Sequence, residues 1–173
     1  MINSGNKSIR TRKIAFLVAD GVDENEIAIV KKALLAEGAM VDVIALRGVL
    51  TSSENKALPV DKILMTVASV LYDAVYVPGG TNSVATLEAE ADAIHFLNEA
   101  YKHCKPIAAS AGAMQVLDAT YFAKKLPEDN SDATVLREGV VISNDAKKLA
   151  QQFIVAIAQH RFWEREKPRK VPA

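Results

Sequence analysis

The stretch that decides the fold is KIAFLVADG, residues 13–21. Its apolar residues run continuously instead of alternating with polar ones. A short run of this kind is typical of a strand that is buried on both faces of a parallel sheet. Asp20 and Gly21 then end the strand with residues that favour a turn.

The same pattern of buried strand and amphipathic helix continues along the chain. Apolar residues recur at helical spacing over residues 24–37, and Gly38 follows where helices commonly end. Further patterns predict strands at 40–46, 74–77, 105–110 and 139–142, and helices at 86–103 and from 143 to about 163. Strands that alternate with helices imply a parallel sheet with right-handed crossovers. We therefore predict an α/β fold, a flavodoxin-like three-layer sandwich with a mostly parallel central sheet.

The chain is expected to form one domain. Residues 1–12 are polar and basic and predict a flexible leader or linker, residues 13–166 the domain, and residues 167–173 a frayed tail with two prolines. Residues 47–71 are irregular and suggest a small hairpin and a short helix. Residues 128–132 predict a polar loop.

Composition excludes several classes of protein. The 173 residues carry 21 Lys and Arg against 21 Asp and Glu, which offers no attraction to nucleic acid or anionic lipid and makes self-association easier. No apolar run is long enough to span a membrane, and the N-terminus lacks a secretory pattern. A single cysteine, Cys104, rules out a disulfide framework and a cysteine-based zinc site. We expect a cytoplasmic domain without a metal site.

Polar and glycine-rich segments follow three of the predicted strands, where ligands bind in open parallel sheets. The first, residues 20–26, holds four acidic side chains at a helix start. Carboxylates favour helix N-termini through the exposed N–H groups, which explains them without a ligand. Alternatively, Glu26 points at the strand ends and polarises a reacting group.

The other two segments are Gly79-Gly80 and the turn at residues 110–112. Glycines let the backbone approach a ligand and present N–H groups to an oxyanion. A sharp turn of small residues between a strand and a helix has the geometry of a nucleophile elbow.

Together these segments resemble the glutamine-amidotransferase-like superfamily, in its intracellular-protease and Parkinsonism-protein branch. The resemblance rests on the glycine and glutamate of residues 21–26, on DAVYVPGG at 73–80 and on KPIAA at 105–109. It implies that Glu26 would hydrogen-bond an elbow cysteine and that Gly79 and Gly80 would form the oxyanion segment. The cysteine falls on Ala111, however, and the histidine that often follows it falls on Gly112. Cysteine chemistry of that family is therefore excluded.

Two other residues could replace the nucleophile. Ser110 imitates a serine elbow, but it comes one residue early, so strand alternation turns its side chain to the opposite face. Cys104 precedes the strand and is expected to be a surface or half-buried thiol far from the elbow. A serine nucleophile also needs a base, and no histidine of this sequence lies near the elbow in the predicted order of elements.

A closer resemblance is to the C-terminal domain of large-subunit, haem-containing catalases. It rests on VADGVD at 18–23, SVLYDAV at 69–75, EAYKHCKPIAA at 99–109 and AIAQHRFW at 156–163. That domain also lacks the elbow cysteine. The resemblance implies that haem belongs to a catalase core that this sequence does not contain, so we expect no cofactor here. Trp163 is expected to pack against the body of the domain or a partner.

Three hypotheses follow. The preferred one is a non-catalytic accessory domain that stabilises or assembles an oligomer, with a catalase core as partner if the sequence is an excised piece. The second is a free-standing hydrolase of the protease or deglycase branch that uses Glu26 with Ser110 or Cys104. The third is a module that binds a small anion at Glu26, Gly79, Gly80 and Ala111.

Overall fold

The computed structural model describes residues 8–126 and 135–165. In chain order its strands and helices are β1 Lys13–Val18, α1 Glu24–Ala36, β2 Met40–Ala45, β3 Leu50–Thr51, β4 Ala57–Leu58, β5 Lys62–Ile63, β6 Ala74–Val77, α2 Thr81–Ala89, α3 Ala91–Lys102, β7 Ile107–Ser110, α4 Met114–Asp118, β8 Val135–Arg137, β9 Val140–Ser143 and α5 Ala146–Gln159. Short 3-10 turns lie at Leu64–Thr66, Ser69–Leu71, Ala111–Ala113, Ala123–Lys125 and Trp163–Arg165.

The described strands form one large sheet in the order β5-β2-β1-β6-β7-β9-β8. Every pairing in it is parallel except that of β8 with β9. β3 and β4 make a separate antiparallel hairpin, within the irregular segment where a hairpin was expected. This mostly parallel α/β sheet confirms the predicted fold class.

Each face of the sheet packs against its own apolar core. On one side α1 and α5 contribute residues such as Val30 and Phe153. On the other side α2, α3 and α4 contribute residues such as Leu87, Leu97 and Val116. Alternate residues of β6 enter opposite cores, because successive side chains of a strand point to opposite faces. The result is the expected three-layer sandwich.

The helix predicted over residues 86–103 is wrong in its bounds. Two helices, α2 and α3, occupy the region and meet at Glu90, whose backbone is extended (φ −92°, ψ 109°). Its side chain accepts a hydrogen bond from the Asp92 N–H and so caps α3. The apolar periodicity continues across this break, which is why the sequence pattern predicted one helix.

The last helix also ends earlier than predicted. Asp145 caps its N-terminus, as expected, by accepting from two backbone N–H groups. The helix stops at Gln159, since His160 has a positive φ of 73° that a helix cannot continue. The strand β8, which was not predicted from the sequence, precedes this region. The predicted polar loop at 128–132 and the tail at 167–173 lie outside the described residues.

Residues 8–12, assigned above to a flexible leader, pack onto the domain in the structure. Ile9 is buried in the core beneath α1 and α5. The Thr11 N–H donates to the carbonyl of Gly38, and Arg12 accepts from the N–H of Met40 at the start of β2. An apolar side chain with a place in the core therefore outweighs the polar composition of this segment. Within the described ranges, no helix has the length and apolar character needed to cross a membrane.

Candidate functional site

The elbow forms where the sequence places it. β7 ends at Ser110, and the 3-10 turn Ala111–Ala113 leads directly into α4. Ala111 is half-buried and Gly112 is exposed. A Cβ built on Gly112 would touch nothing within 4 Å. The turn therefore has the shape of an elbow, but its side chains offer nothing larger than a methyl group.

Ser110 lies beneath the elbow and not in it. Its side chain is only 2% exposed, and its hydroxyl is 2.8 Å from the hydroxyl of Tyr76. Tyr76 packs in turn edge-on against Phe16, with ring centroids 4.9 Å apart. Burial raises the pKa of Tyr76 above its ordinary value, so the phenol stays neutral and cannot act as a base near neutral pH. Ser110 is consequently part of a buried hydrogen-bonded pair.

Glu26 is positioned by the start of α1. Asp23 caps this helix by accepting from the N–H groups of Asn25 and Glu26. Oε2 of Glu26 then accepts a hydrogen bond of 2.6 Å from the backbone N–H of Gly79. The N–H that the sequence suggested for an oxyanion thus donates to a carboxylate of the same chain.

The two glycines after β6 let two loops approach closely. The carbonyl of Gly79 accepts from the Asp23 N–H at 2.9 Å. Gly80 has a φ of +117°, and a Cβ there would lie 2.8 Å from the Cα of Val22 and clash with the carbonyl of Gly21. Glycine is therefore required at position 80 by the packing of the chain against itself.

The remaining acidic residues after β1 have partners in the loop structure as well. Asp20 accepts from the Thr51 N–H at 2.9 Å, and Glu24 forms a 2.8 Å ion pair with Lys56. The structure brings the predicted residues Glu26 and Gly79 into contact, and it gives each acidic side chain of this loop a local role.

The other candidate nucleophile and the histidines lie elsewhere. Cys104 is 1% exposed, more buried than expected, and follows α3 at the opposite edge of the sheet from the elbow. His103 makes a 3.4 Å contact with Glu99, and His160 contacts Arg161. Among the residues that the structure describes, no group of three or more His, Cys, Asp or Glu could hold a metal ion.

Lys105 is a buried polar residue that the sequence reasoning did not single out. It is 3% exposed, and its Nζ donates a 2.7 Å hydrogen bond to the carbonyl of Ser69. Burial, and next the charge of Arg161, lowers the pKa of Lys105 to about 8. The only sequence feature that could have indicated the burial of Lys105 is its position before a proline and an apolar strand. A lysine at such a position is ordinarily expected to be exposed.

A surface cavity lies beside α3, away from the elbow. We call it the α3 groove; it has a volume of about 350 Å³. Its lining consists of Leu64, Met65, Val67, Ala68, Ser69, Val70, Asp92, His95, Phe96, Glu99 and His103. Two further cavities, of about 160 and 280 Å³, are lined by residues other than Glu26, Gly79 and Ala111.

The fold and the altered elbow define a class of protein, a flavodoxin-like α/β domain whose elbow lacks a nucleophile. Solved structures support the fold. DJ-1 of Schizosaccharomyces pombe has a TM-score of 0.75 at 16% identity, covering 92% of this chain and 100% of that one. A ThiJ/PfpI domain protein from Brachyspira murdochii has a TM-score of 0.77 at 17% identity, covering 87% and 98%.

The chain belongs to the family of the C-terminal domain found in long catalases, which it matches over residues 10–167. Catalase HPII of Mycobacterium avium is 38% identical over 172 residues, which are 95% of this chain and 24% of that protein. Catalase-2 of Bacillus subtilis is 35% identical over 163 residues, 92% of this chain and 22% of that protein. The chain thus spans about a quarter of the length of these curated relatives. The resemblance to the catalase C-terminal domain is thus confirmed, and the solved structures confirm the fold that the other resemblance implied.

Proposed function

We propose that this chain is a non-catalytic accessory domain of the long-catalase type that stabilises or assembles an oligomer. The observation that carries the proposal is the elbow itself, where Ala111 and Gly112 occupy the places of a nucleophile and of the residue after it. Methyl and hydrogen cannot attack a carbonyl or take up a proton.

Groups that could otherwise support catalysis are already committed within the chain. The Gly79 N–H donates to Glu26, and the Ser110 hydroxyl is bonded to Tyr76. An oxyanion site needs donors that are free to meet developing charge, and a serine nucleophile needs a base within hydrogen-bond reach. These pairings also weigh against the hydrolase and the small-anion module as alternatives.

The reaction of the parent proteins, hydrogen peroxide decomposition, enters only through the family. In this proposal haem is held by a catalase core, and the domain itself takes no cofactor. Its partners are further copies of the chain and, where the domain is part of a longer protein, that core. We place its work in the cytoplasm, away from nucleic acid and membranes, in keeping with the balanced charge of the chain.

Turnover assays on the purified chain test the non-catalytic role. We expect no release of product from peptide, glyoxal or glycated substrates above that of a buffer blank, and the same result for Glu26→Gln. Measurable turnover by the wild type that Glu26→Gln abolishes would establish a hydrolase and overturn the proposal. Ala111→Cys is the matched variant, because it returns a thiol to the elbow next to an otherwise unchanged site.

The natural gene product tests the relation to catalase. An antibody against this domain is used to isolate the protein from its source cells, and its mass and haem absorbance are measured. A product several hundred residues longer with a Soret band is expected. A haem-free product of this chain's own mass would contradict the role as an accessory to a catalase core.

A further inference from the structure

The α3 groove combines an apolar wall with an acidic one. Met65 and Val70 expose 82% and 75% of their surfaces on the apolar wall, and Leu71 beside them exposes 56%. Exposed apolar side chains that cluster around a groove mark an interaction site. The opposite wall, from α3, contributes Asp92 and Glu99. Glu99 is paired with Lys102 at 3.6 Å and with His103 at 3.4 Å, whereas Asp92 has no ion pair among the described residues. An apolar side chain with a cation next to it therefore complements the groove.

Trp163 has this character on the same chain. It is 64% exposed, so it does not pack against the body of the domain. Its neighbour two residues back is Arg161, and Arg165 anchors the turn from the other side. The Arg165 guanidinium lies 4.2 Å from the centroid of the Tyr101 ring and donates to the carbonyl of Lys105. An aromatic side chain held out on a fixed turn is the kind of anchor that dominates interfaces.

The Trp163 turn and the α3 groove lie on one part of the surface. The Phe162 N–H donates to the carbonyl of Cys104, which directly follows His103 of the groove. Lys105 reaches across to the opposite wall through its 2.7 Å bond to the carbonyl of Ser69. In a dimer with a two-fold axis, the Trp163 turn of each copy can therefore meet the α3 groove of the other copy, so that the same contact forms twice.

We propose that a second copy of this chain occupies the α3 groove, with Trp163 of each copy inserted into the groove of the other. Arg161, whose guanidinium also donates to the carbonyl of His160 at 3.0 Å, accompanies the indole and meets the carboxylate of Asp92. The inference rests on the proposed function in one respect, because it names the interface by which the accessory domain would assemble.

The dissociation constant of the dimer, measured on the full chain by sedimentation, tests the interface. Val70→Asp and Trp163→Ser are each expected to weaken the dimer by a factor of about 30 or more, the loss typical of a hot-spot residue. Val49→Asp is the matched control, because Val49 is also a valine, is 74% exposed and lies outside the groove. It is expected to leave the constant within about threefold, as for an ordinary surface position.

A wild type that stays monomeric at all concentrations, or a dimer that neither substitution weakens, would overturn the interface. The turnover assay still decides the non-catalytic role in either case. A covalent test covers variants that fold poorly: the pair Trp163→Cys and Val70→Cys should give a disulfide-linked dimer on oxidation, whereas Trp163→Cys with Val49→Cys should not. The native Cys104 is buried and does not compete.

Discussion

At the carboxyl edge of the sheet polar groups are paired within the chain, whereas in the α3 groove apolar side chains stand open to solvent. Glu26 bonds Gly79 at the edge, and Tyr76 bonds Ser110. In the groove, Met65 and Val70 have no apolar cover. The polar groups beside the elbow thus have partners within the chain, and the exposed apolar side chains lie elsewhere. This difference favours assembly over catalysis.

Among substitutions at the carboxyl edge of the sheet, Gly80→Ala is expected to have the largest effect on stability. The new Cβ would collide with the backbone of the loop at Gly21 and Val22, at a positive φ that alanine rarely adopts. Strain and overlap of this kind should lower the free energy of unfolding by about 3 kcal/mol or more. Chemical denaturation measures the change. Gly112→Ala is the control, because its Cβ meets no atom within 4 Å and should change stability by less than about 1 kcal/mol.

Glu26→Ala should have the next largest effect on the free energy of unfolding. It removes the acceptor of the Gly79 N–H in a partly buried position. Loss of such a partner costs about 1–3 kcal/mol of unfolding free energy. Glu26→Gln keeps an acceptor oxygen and should cost clearly less. Equal losses for the two variants would show that the hydrogen bond is not what holds the loops together.

Tyr76→Phe should have a somewhat smaller effect, about 1–2 kcal/mol, since it leaves the buried Ser110 hydroxyl without its partner. Combining it with Ser110→Ala should recover most of that loss, because both members of the pair are then absent. A double-mutant cycle in urea measures the coupling. Additive losses would mean that the two hydroxyls do not depend on each other.

The smallest effect concerns the pH dependence of stability that the buried Lys105 contributes. Since burial holds the pKa of Lys105 at about 8, below its ordinary value of 10.5, the unfolded chain binds the proton more readily than the folded one between these pH values. Stability from this group is therefore present above pH 10.5 and is lost as the pH falls towards 8 and below. The unfolding free energy of the wild type, relative to Lys105→Met, should rise with pH across this window.

The expected slope stays below the limit of about 1.4 kcal/mol per pH unit that transfer of one whole proton would give. Unfolding curves of both proteins at pH 8, 9 and 10 measure it. Comparison with Lys105→Met removes the contribution of tyrosines that titrate in the same range. A flat difference would mean that Lys105 titrates alike in the folded and unfolded chains.

The sequence predicted much of the fold because the decisive signals are local. Continuous apolar runs marked β1, β2, β6, β7 and β9 to within a few residues, and Asp145 marked the start of α5. The break at Glu90 and the strand β8 were missed. The apolar repeat does not change at Glu90, and β8 exists only by pairing with β9.

That alanine and glycine occupy the elbow could be read from residues 105–112 alone, since it depends only on which residues follow one strand. Which polar groups pair at the carboxyl edge of the sheet could not be read from the sequence. Glu26 and Gly79 are 53 residues apart, and Tyr76 and Ser110 are 34 apart. The exposure of Trp163 likewise depends on where the turn after α5 docks. The sequence by itself thus determined the buried strands and the residues of the elbow, and the tertiary structure decided which groups meet, because those contacts join distant residues.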